Sequence, residues 1–392
     1  MESSASTGAG DVPKGMQVCV VTETFSPEVN GVAMTLGHLI MGLLKRKHLV
    51  TLIRPRQHAY DRPGCCTKPN VVLVPGLPVP GYKTIRFGLP MRRKLQKIWN
   101  INRPDVIYVA TQGPLGWAAV VEATRGNIPV ISGFHTNFHR YAQHYHVAWV
   151  QQILLKYLRY FHNHTLQTLV PTRDLQNELI SNGFDNVGIL SRGVDSRLYS
   201  PEKRIEKIRK NWGVADDSLT VLFVGRLAPE KNLALAVDCY RAMQRHYNKL
   251  KFIIVGDGPL YESMQREHPD IIFCGIHRGE HLAQYYASAD IFLFPSETET
   301  FGNVILEAMA SGLAVVAFNY AAAGMHIAAG ETGMIVPLGD RQAFIDAAIS
   351  LIKDPDHLNL LRHNARTYAE QVDWDDTVNL FEEKLFNAAF RN

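Results

Sequence analysis

Cysteine is scarce in this chain: five in 392 residues, at Cys19, Cys65, Cys66, Cys239 and Cys274. Their number is odd, and they form no CxxC pair or zinc-type spacing, which excludes a disulfide framework and a structural zinc site of the usual kind. They read as core thiols, with adjacent Cys65 and Cys66 the one pair to watch for redox behaviour. No stretch approaches the 18 or so uninterrupted apolar residues of a membrane span, and residues 1–15 lack the apolar core of a signal peptide. The expected location is therefore cytoplasmic. Acidic residues are missing from 62–104, which carries nine Lys and Arg and no Asp or Glu. The signature of disorder is also missing, since hydrophobic residues make up 46% and charged residues 20%.

The length predicts two, or at most three, folded units and excludes a single small binding module. A net charge of +4, from 41 Lys and Arg against 37 Asp and Glu, is too balanced for a whole-protein nucleic-acid footprint. The average conceals a split. Residues 1–195 hold 21 basic and 11 acidic side chains, a balance of +10; the remaining 20 and 26 give −6.

Short β-branched runs alternate with longer amphipathic stretches throughout. Strands are expected at 17–21, 50–53, 71–74, 106–110, 130–134 and 166–171. A second series is expected at 219–225, 252–256, 271–274, 291–295 and 314–318. Helices are expected at 31–46, 149–162, 232–247, 303–310 and 340–353. Nearly continuous apolar strands separated by helices imply parallel α/β sheets covered on both faces. The series breaks near 192–201, where Gly, Asp, Ser and Pro cluster as in a connector. A charged amphipathic helix, PEKRIEKIRKNWG, follows. The expected architecture is two facing, doubly wound domains with a cleft between them, at the carboxyl ends of the strands, where ligands bind in open α/β sheets. The boundaries are a flexible 1–15, an acceptor domain at 16–195, a donor domain at 196–373 and a final helix at 374–392.

Residues after the strands carry the chemistry. Asn30 is a candidate N-cap, and Gly31 permits close backbone approach to an anion at a helix N-terminus, although a plain turn explains the pair as well. His135 follows the fifth strand; a lone histidine is more often structural, but this one ends an expected central strand and points at the cleft. Arg226 and Lys231 stand five apart at a strand-to-helix junction, where two cations can clamp a diphosphate, or be solvated charges partnered by Glu230. Gly256-Asp257-Gly258-Pro259 resembles half of a dinucleotide fingerprint without its third glycine, a weak case for a nicotinamide site. The most specific run is 295–312. There Glu299 precedes a helix whose first turn offers the amides of Gly302, Asn303 and Val304, and Glu307 lies two turns, about 12 Å, further along. That separation suits two hydroxyl acceptors gripping one polyol better than a glycosidase acid/base pair.

Taken in order, FSPEVNGV, FHTNF, SRGVD, GRLAPEKN, GDGP and ETFGNVILEAMASG resemble retaining nucleotide-sugar glycosyltransferases of the GT-B fold, family four, from residue 17 to about 390. That resemblance implies two Rossmann-like domains and a set of roles. The Gly31 amide approaches the donor phosphate and His135 lines the sugar pocket. Arg226 and Lys231 bind and stabilise the departing diphosphate. Glu299 takes hexose hydroxyls, the backbone from Phe301 through Gly302, Asn303 and Val304 holds sugar and phosphate, and Glu307 takes the ribose. The last helix would cross back to the first domain. No protein nucleophile and no cofactor is implied; the co-substrate is GDP-mannose or a UDP-hexose, with GDP-mannose favoured from the likeness around GRLAPEKN. The DxD pairs at 354–356 and 373–375 read as helix caps, so no metal is expected and activity should survive chelation.

Within the family, FHTNF followed by an aromatic helix, together with SRGVD, resembles the lipid mannosyl- and sulfoquinovosyl-transferases. The acid-free stretch supplies Lys83, Arg86, Arg92, Arg93 and Lys94, and the helix after FHTNF supplies Trp149. These suggest a first domain resting peripherally on the inner face of an anionic membrane, where each basic residue contributes about 1 kcal/mol. A solvated basic face and a buried helix are the plainer explanation. The expected activity is hexose transfer to a lipid such as diacylglycerol. Its rivals are a family member acting on a soluble or polysaccharide acceptor, a nucleotide-sugar epimerase and a non-catalytic sugar-nucleotide sensor. No nucleic-acid partner is expected.

Overall fold

The first strand is apolar because both of its faces are covered. In β1 (Gln17–Val21) every residue after Gln17 is buried, and in β6 (Val106–Val109) and β7 (Val130–Gly133) every residue is. The computed structural model describes residues 15–26, 28, 30–58, 60–61, 69–79, 82–135, 148–215 and 218–390. Cys65, Cys66 and residues 136–138 of FHTNF lie outside them. By internal packing the chain forms two units, Met1–Gly133 with Phe161–Gln167 and Phe381–Asn392, and Phe134–Tyr160 with Thr168–Leu380.

In the first unit, parallel strands run in the order β3 (Asn70–Val74), β2 (Leu49–Pro55), β1, β6, β7, with Val20 paired to both Leu52 and Tyr108. Between them lie α1 (Gly31–Lys45), α2 (Arg92–Ile101) and α3 (Pro114–Arg125). Trp99, Leu115, Ile107 and Phe161 meet in one core. The amino end of α3 is fixed by Glu23, whose carboxylate accepts the Leu115 amide at 3.0 Å. Gly113 is needed there, because a Cβ would sit 1.9 Å from that carboxylate. The same unit receives the distal part of the last helix. Phe381 packs edge-on against Tyr108 at 4.9 Å, and Glu382 pairs with Arg46 at 3.1 Å and His48 at 2.7 Å.

One element differs from the sequence expectation in this unit. Residues 76–88, which read as an interleaved basic surface, form an antiparallel hairpin of β4 (Gly76–Val79) and β5 (Tyr82–Gly88), with an irregular register at Pro78 and Val79. Its prolines break the alternation that identifies strands, as is usual where a strand pair tolerates missing amide donors.

The second unit contains α4 (Ala148–His162) up to Tyr160, most of β8 (Gln167–Val170), α5 (Arg173–Ser181) and β9 (Val187–Ile189), with β8 and β9 parallel. The chain continues through α6 (Glu206–Asn211), β10 (Leu219–Val224), α7 (Leu233–His246), β11 (Leu250–Val255), α8 (Tyr261–Glu267), β12 (Ile272–Phe273) and α9 (Gly279–Ala287). It ends through β13 (Ile291–Phe294), α10 (Asn303–Ala310), β14 (Ala314–Phe318), α11 (Ala321–His326), β15 (Met334–Val336), α12 (Arg341–Lys353), α13 (Pro355–Ala369) and α14 (Trp374–Phe390). Six parallel strands run β12-β11-β10-β13-β14-β15. The apolar interiors of β10, β13 and β14 supply their core.

The single charged helix expected after the connector is instead a 3-10 turn, Pro201–Lys203, and the short α6. Arg204 is extended between them, and Arg209 is buried rather than solvated. Its guanidinium donates to the Ser288 and Ser218 carbonyls at 3.0 and 2.9 Å and to Asp290 at 3.2 Å. A buried charge with a full set of partners overrides the amphipathic pattern. Both DxD pairs stand at helix starts. Asp354 accepts the His357 amide at 3.0 Å, and Asp373 accepts the Asp375 amide at 3.2 Å.

Candidate functional site

The carboxyl ends of β10 and β11 come together more closely than side chains permit. Gly225 donates to the Val255 carbonyl at 3.0 Å, Leu227 to that of Asp257 at 2.9 Å, and Gly256 to that of Gly275 at 2.8 Å. A Cβ on Gly256 would stand 1.8 Å from the Gly225 oxygen, and one on Gly258 2.4 Å from the Leu227 oxygen. The glycines of GDGP therefore join two strand-end loops. This packing fixes the loop bearing Arg226, which is exposed, and leads into the 3-10 turn Pro229–Lys231.

Lys231 ends that turn and forms an ion pair with Glu299; their side chains are only 14% and 13% exposed. The ammonium also lies 5.8 Å from the centre of the Phe294 ring at the end of β13. Asn232, in the left-handed region at φ 51°, donates to Glu297 at 3.0 Å. The sequence expectation of two cations at this junction is thus realised asymmetrically: Lys231 is held in the fold by a carboxylate, and Arg226 projects outward.

Glu299 sits against the start of α10. The Tyr320 hydroxyl donates to its backbone carbonyl at 3.1 Å, and a Cβ on Gly302 would lie 3.7 Å from Glu299 Cγ. Gly302 takes φ 94°, a left-handed conformation that favours glycine, and among the described residues no side chain caps the helix it opens. The first-turn amides and the positive end of the helix dipole are consequently presented where Lys231 and Glu299 meet, an arrangement suited to an anion. Phe301 is buried, and its carbonyl accepts the Ala322 amide at 2.9 Å.

Glu307, about one turn into α10 because Glu299 lies in the loop before the helix and not on it, is 6% exposed and accepts from the Tyr286 hydroxyl at 3.1 Å. Burial pushes its carboxyl up to about 7, against the hydrogen bonds of Tyr286 and Tyr199. Burial likewise pushes Glu23 up to about 7, against backbone amides including that of Leu115. Both raised values carry one sign. Between about 4.5 and about 7 the folded protein keeps protons that the unfolded chain has released, so stability falls as pH rises through that interval. Thermal unfolding should shift downward from about pH 5 to about pH 8, and Glu307→Gln should flatten the profile; an unchanged slope in that variant refutes the assignment.

The remaining predicted residues fall as follows. In the first unit, Asn30 caps α1 by accepting the Val32 and Ala33 amides at 3.1 and 2.9 Å. Gly31 is exposed, and among the described residues no partner takes its amide. His135, in the second unit, is 8% exposed, two residues beyond β7. Of the basic set, Arg86 donates to the Gly76 carbonyl at 2.7 Å, Arg92 to Glu122 at 2.5 Å and Lys94 to the Leu73 carbonyl at 2.6 Å. Arg93 is exposed. The side chains of Lys83 and Trp149 lie outside the described residues. The sequence reading missed Arg192, whose guanidinium donates to Asn303 Oδ1 at 2.9 Å and lies 5.2 Å from the Phe301 ring centre. It also missed the tyrosines around Glu307. Tertiary proximity alone reveals these partners; SRGVD was the one signal for Arg192. Among the described residues no helix is long and apolar enough to cross a membrane.

Residues 29–198 match the family model described as Glycosyltransferase Family 4, and 218–354 match Glycosyl transferases group 1. The chain is 32% identical to a GDP-mannose-dependent alpha-mannosyltransferase of Corynebacterium glutamicum over 88% of its own length and 82% of the relative's. It is 25% identical to an alpha-monoglucosyldiacylglycerol synthase of Streptococcus pneumoniae, over 77% and 71% of the two chains. A sucrose-phosphate synthase from Thermosynechococcus elongatus superposes with a TM-score of 0.77, at 17% identity, over 96% and 99% of the chains.

Proposed function

The chain belongs to glycosyltransferase family 4, of GT-B fold, and from that premise we propose that it moves a hexose with retention of configuration from a nucleotide sugar to a lipid at a membrane surface. Mannose from GDP-mannose is the preferred donor, in line with the mannosyltransferase relatives. A glycolipid acceptor is supported by the likeness to monoglucosyldiacylglycerol synthases. The observation that carries the reading is the grouping of Lys231, Glu299 and the uncapped start of α10.

Breaking a sugar–diphosphate bond builds negative charge on the leaving phosphate and positive charge on the ring. Lys231 and Arg226 stabilise the first, and the amides of Gly302, Asn303 and Val304 add fixed dipoles that need no reorganisation. Glu299 orients hexose hydroxyls. His135 lines the sugar pocket, Glu307 takes the ribose and the Gly31 amide approaches the phosphate. The acceptor attacks from the face the phosphate leaves, and a phosphate oxygen takes its proton. The charge is handled by protein cations and amides, without a metal ion or other cofactor.

Two surfaces support membrane contact. Ile153, Tyr157 and Tyr160 are exposed on α4 at helical spacing, with Lys156 and Arg159 beside them. In the first unit a groove is lined by Arg92, Arg93, Arg103 and Arg125 over Trp99, with Glu122 as its single acid. With UDP-glucose, UDP-galactose and GDP-mannose as donors, diacylglycerol in anionic vesicles should receive mannose from GDP-mannose, with or without EDTA. Replacing Arg93 and Arg125 by Gln should reduce vesicle binding about thirtyfold, from about 1 kcal/mol per cation. Transfer to soluble acceptors alone, with no binding to anionic vesicles, overturns the lipid assignment.

A further inference from the structure

Arg192 stands at the amino end of α10. It is 5% exposed, and its guanidinium reaches the side chain of Asn303, the first residue of α10. The amino end of a helix bears about half a positive charge and favours an anion. Its backbone is firmly held. The Val194 amide donates to the Val372 carbonyl at 3.0 Å, and Gly193 packs so closely that a Cβ would stand 2.4 Å from the Trp374 nitrogen. The Phe301 ring beneath the guanidinium is backed by the edge of His326, 5.8 Å between ring centres. Arg192 therefore contacts both the residue before and the residue after Gly302, the left-handed glycine that opens α10.

We propose that Arg192 is a donor-positioning residue. It fixes the 301–303 turn and adds a unit charge to the helix end at which the diphosphate of the nucleotide sugar is held. This rests on the donor reading above and extends it: a guanidinium held against the first turn of α10 is a further cation for a bound diphosphate. Asn303 transmits the orientation, and Phe301 supplies the flat surface that an arginine fork can stack upon.

The test compares wild type, Arg192→Met, Arg192→Lys and Asn303→Ala by calorimetric titration with GDP, GDP-mannose, UDP and UDP-glucose, by steady-state kinetics and by thermal unfolding. Arg192→Met should raise donor Kd and KM at least tenfold, leave acceptor KM unchanged and remain folded. Arg192→Lys should recover part of the donor affinity, and Asn303→Ala should show a smaller donor defect. Donor Kd and KM within twofold of wild type in Arg192→Met overturn the proposal, as does a lowered Tm without a donor defect. Should Arg192→Met fail to fold, wild-type donor KM in both other variants overturns it. Wild-type protein that binds none of the four nucleotides overturns the donor reading and this proposal together.

Discussion

Lys231→Ala should lower the turnover number for hexose transfer by about 10²–10³ while the protein remains folded. The loss belongs in kcat because the charge Lys231 meets grows as the sugar–phosphate bond breaks. Its present partner is Glu299, in a pair largely withdrawn from solvent. Removing the ammonium also leaves that carboxylate without its cation, and Glu299→Ala does the reverse. Each single change therefore disables the same unit, and the double variant should be little worse than either alone, a coupling that a double-mutant cycle measures directly. Near wild-type turnover in a folded Lys231→Ala or Glu299→Ala protein contradicts the site. Multiplicative losses in the double variant contradict the coupling.

Gly256→Ala should be the most damaging single methyl group in the second unit. The added Cβ would lie 1.8 Å from the Gly225 oxygen, and the residue holds φ 145°, where an L side chain is strained. Relief requires parting the β10 and β11 loop ends, which are joined through the Gly225 and Leu227 amides. A cost of about 4 kcal/mol or more is expected, which is in the range reserved for steric and backbone failures. Gly213→Ala is the control. It too has positive φ, 66°, but its Cβ would meet nothing within 4 Å, so only about 1 kcal/mol is expected. Equal Tm losses in the two variants would show that backbone conformation, not the close approach, governs the junction.

The contrast shows what was legible in sequence. Strand 17–21, helix 303–310 and strand 314–318 were readable to the residue because apolar residues dominate them. The hairpin at 76–88 was not, since its prolines disrupt the period-two pattern. The Gly256 and Gly258 spacing suggested a nucleotide fingerprint, whereas their immediate physical demand comes from backbone meeting backbone. Lys231 and Glu299 were each recognisable from their motifs, yet nothing in a string 68 residues apart indicates that they pair. Arg209 misled the reading for the converse reason. Its charge belongs to a buried network whose partners, Ser218, Ser288 and Asp290, come from later elements. The basic run at 62–104 was visible as charge; that Arg86 and Lys94 tie down backbone carbonyls could be learned only from the fold.

The membership of Phe381 and Glu382 in the first unit carries a consequence for biosynthesis. Tyr108, Arg46 and His48 are translated early, but the ring and carboxylate that complete their surroundings come from α14. A nascent chain emerging at about 5–20 residues per second must hold that unit incomplete while the whole second unit is synthesised. Its last packing step therefore follows synthesis of the second unit. Ribosome-bound intermediates would expose an unfinished apolar surface that a chaperone could engage.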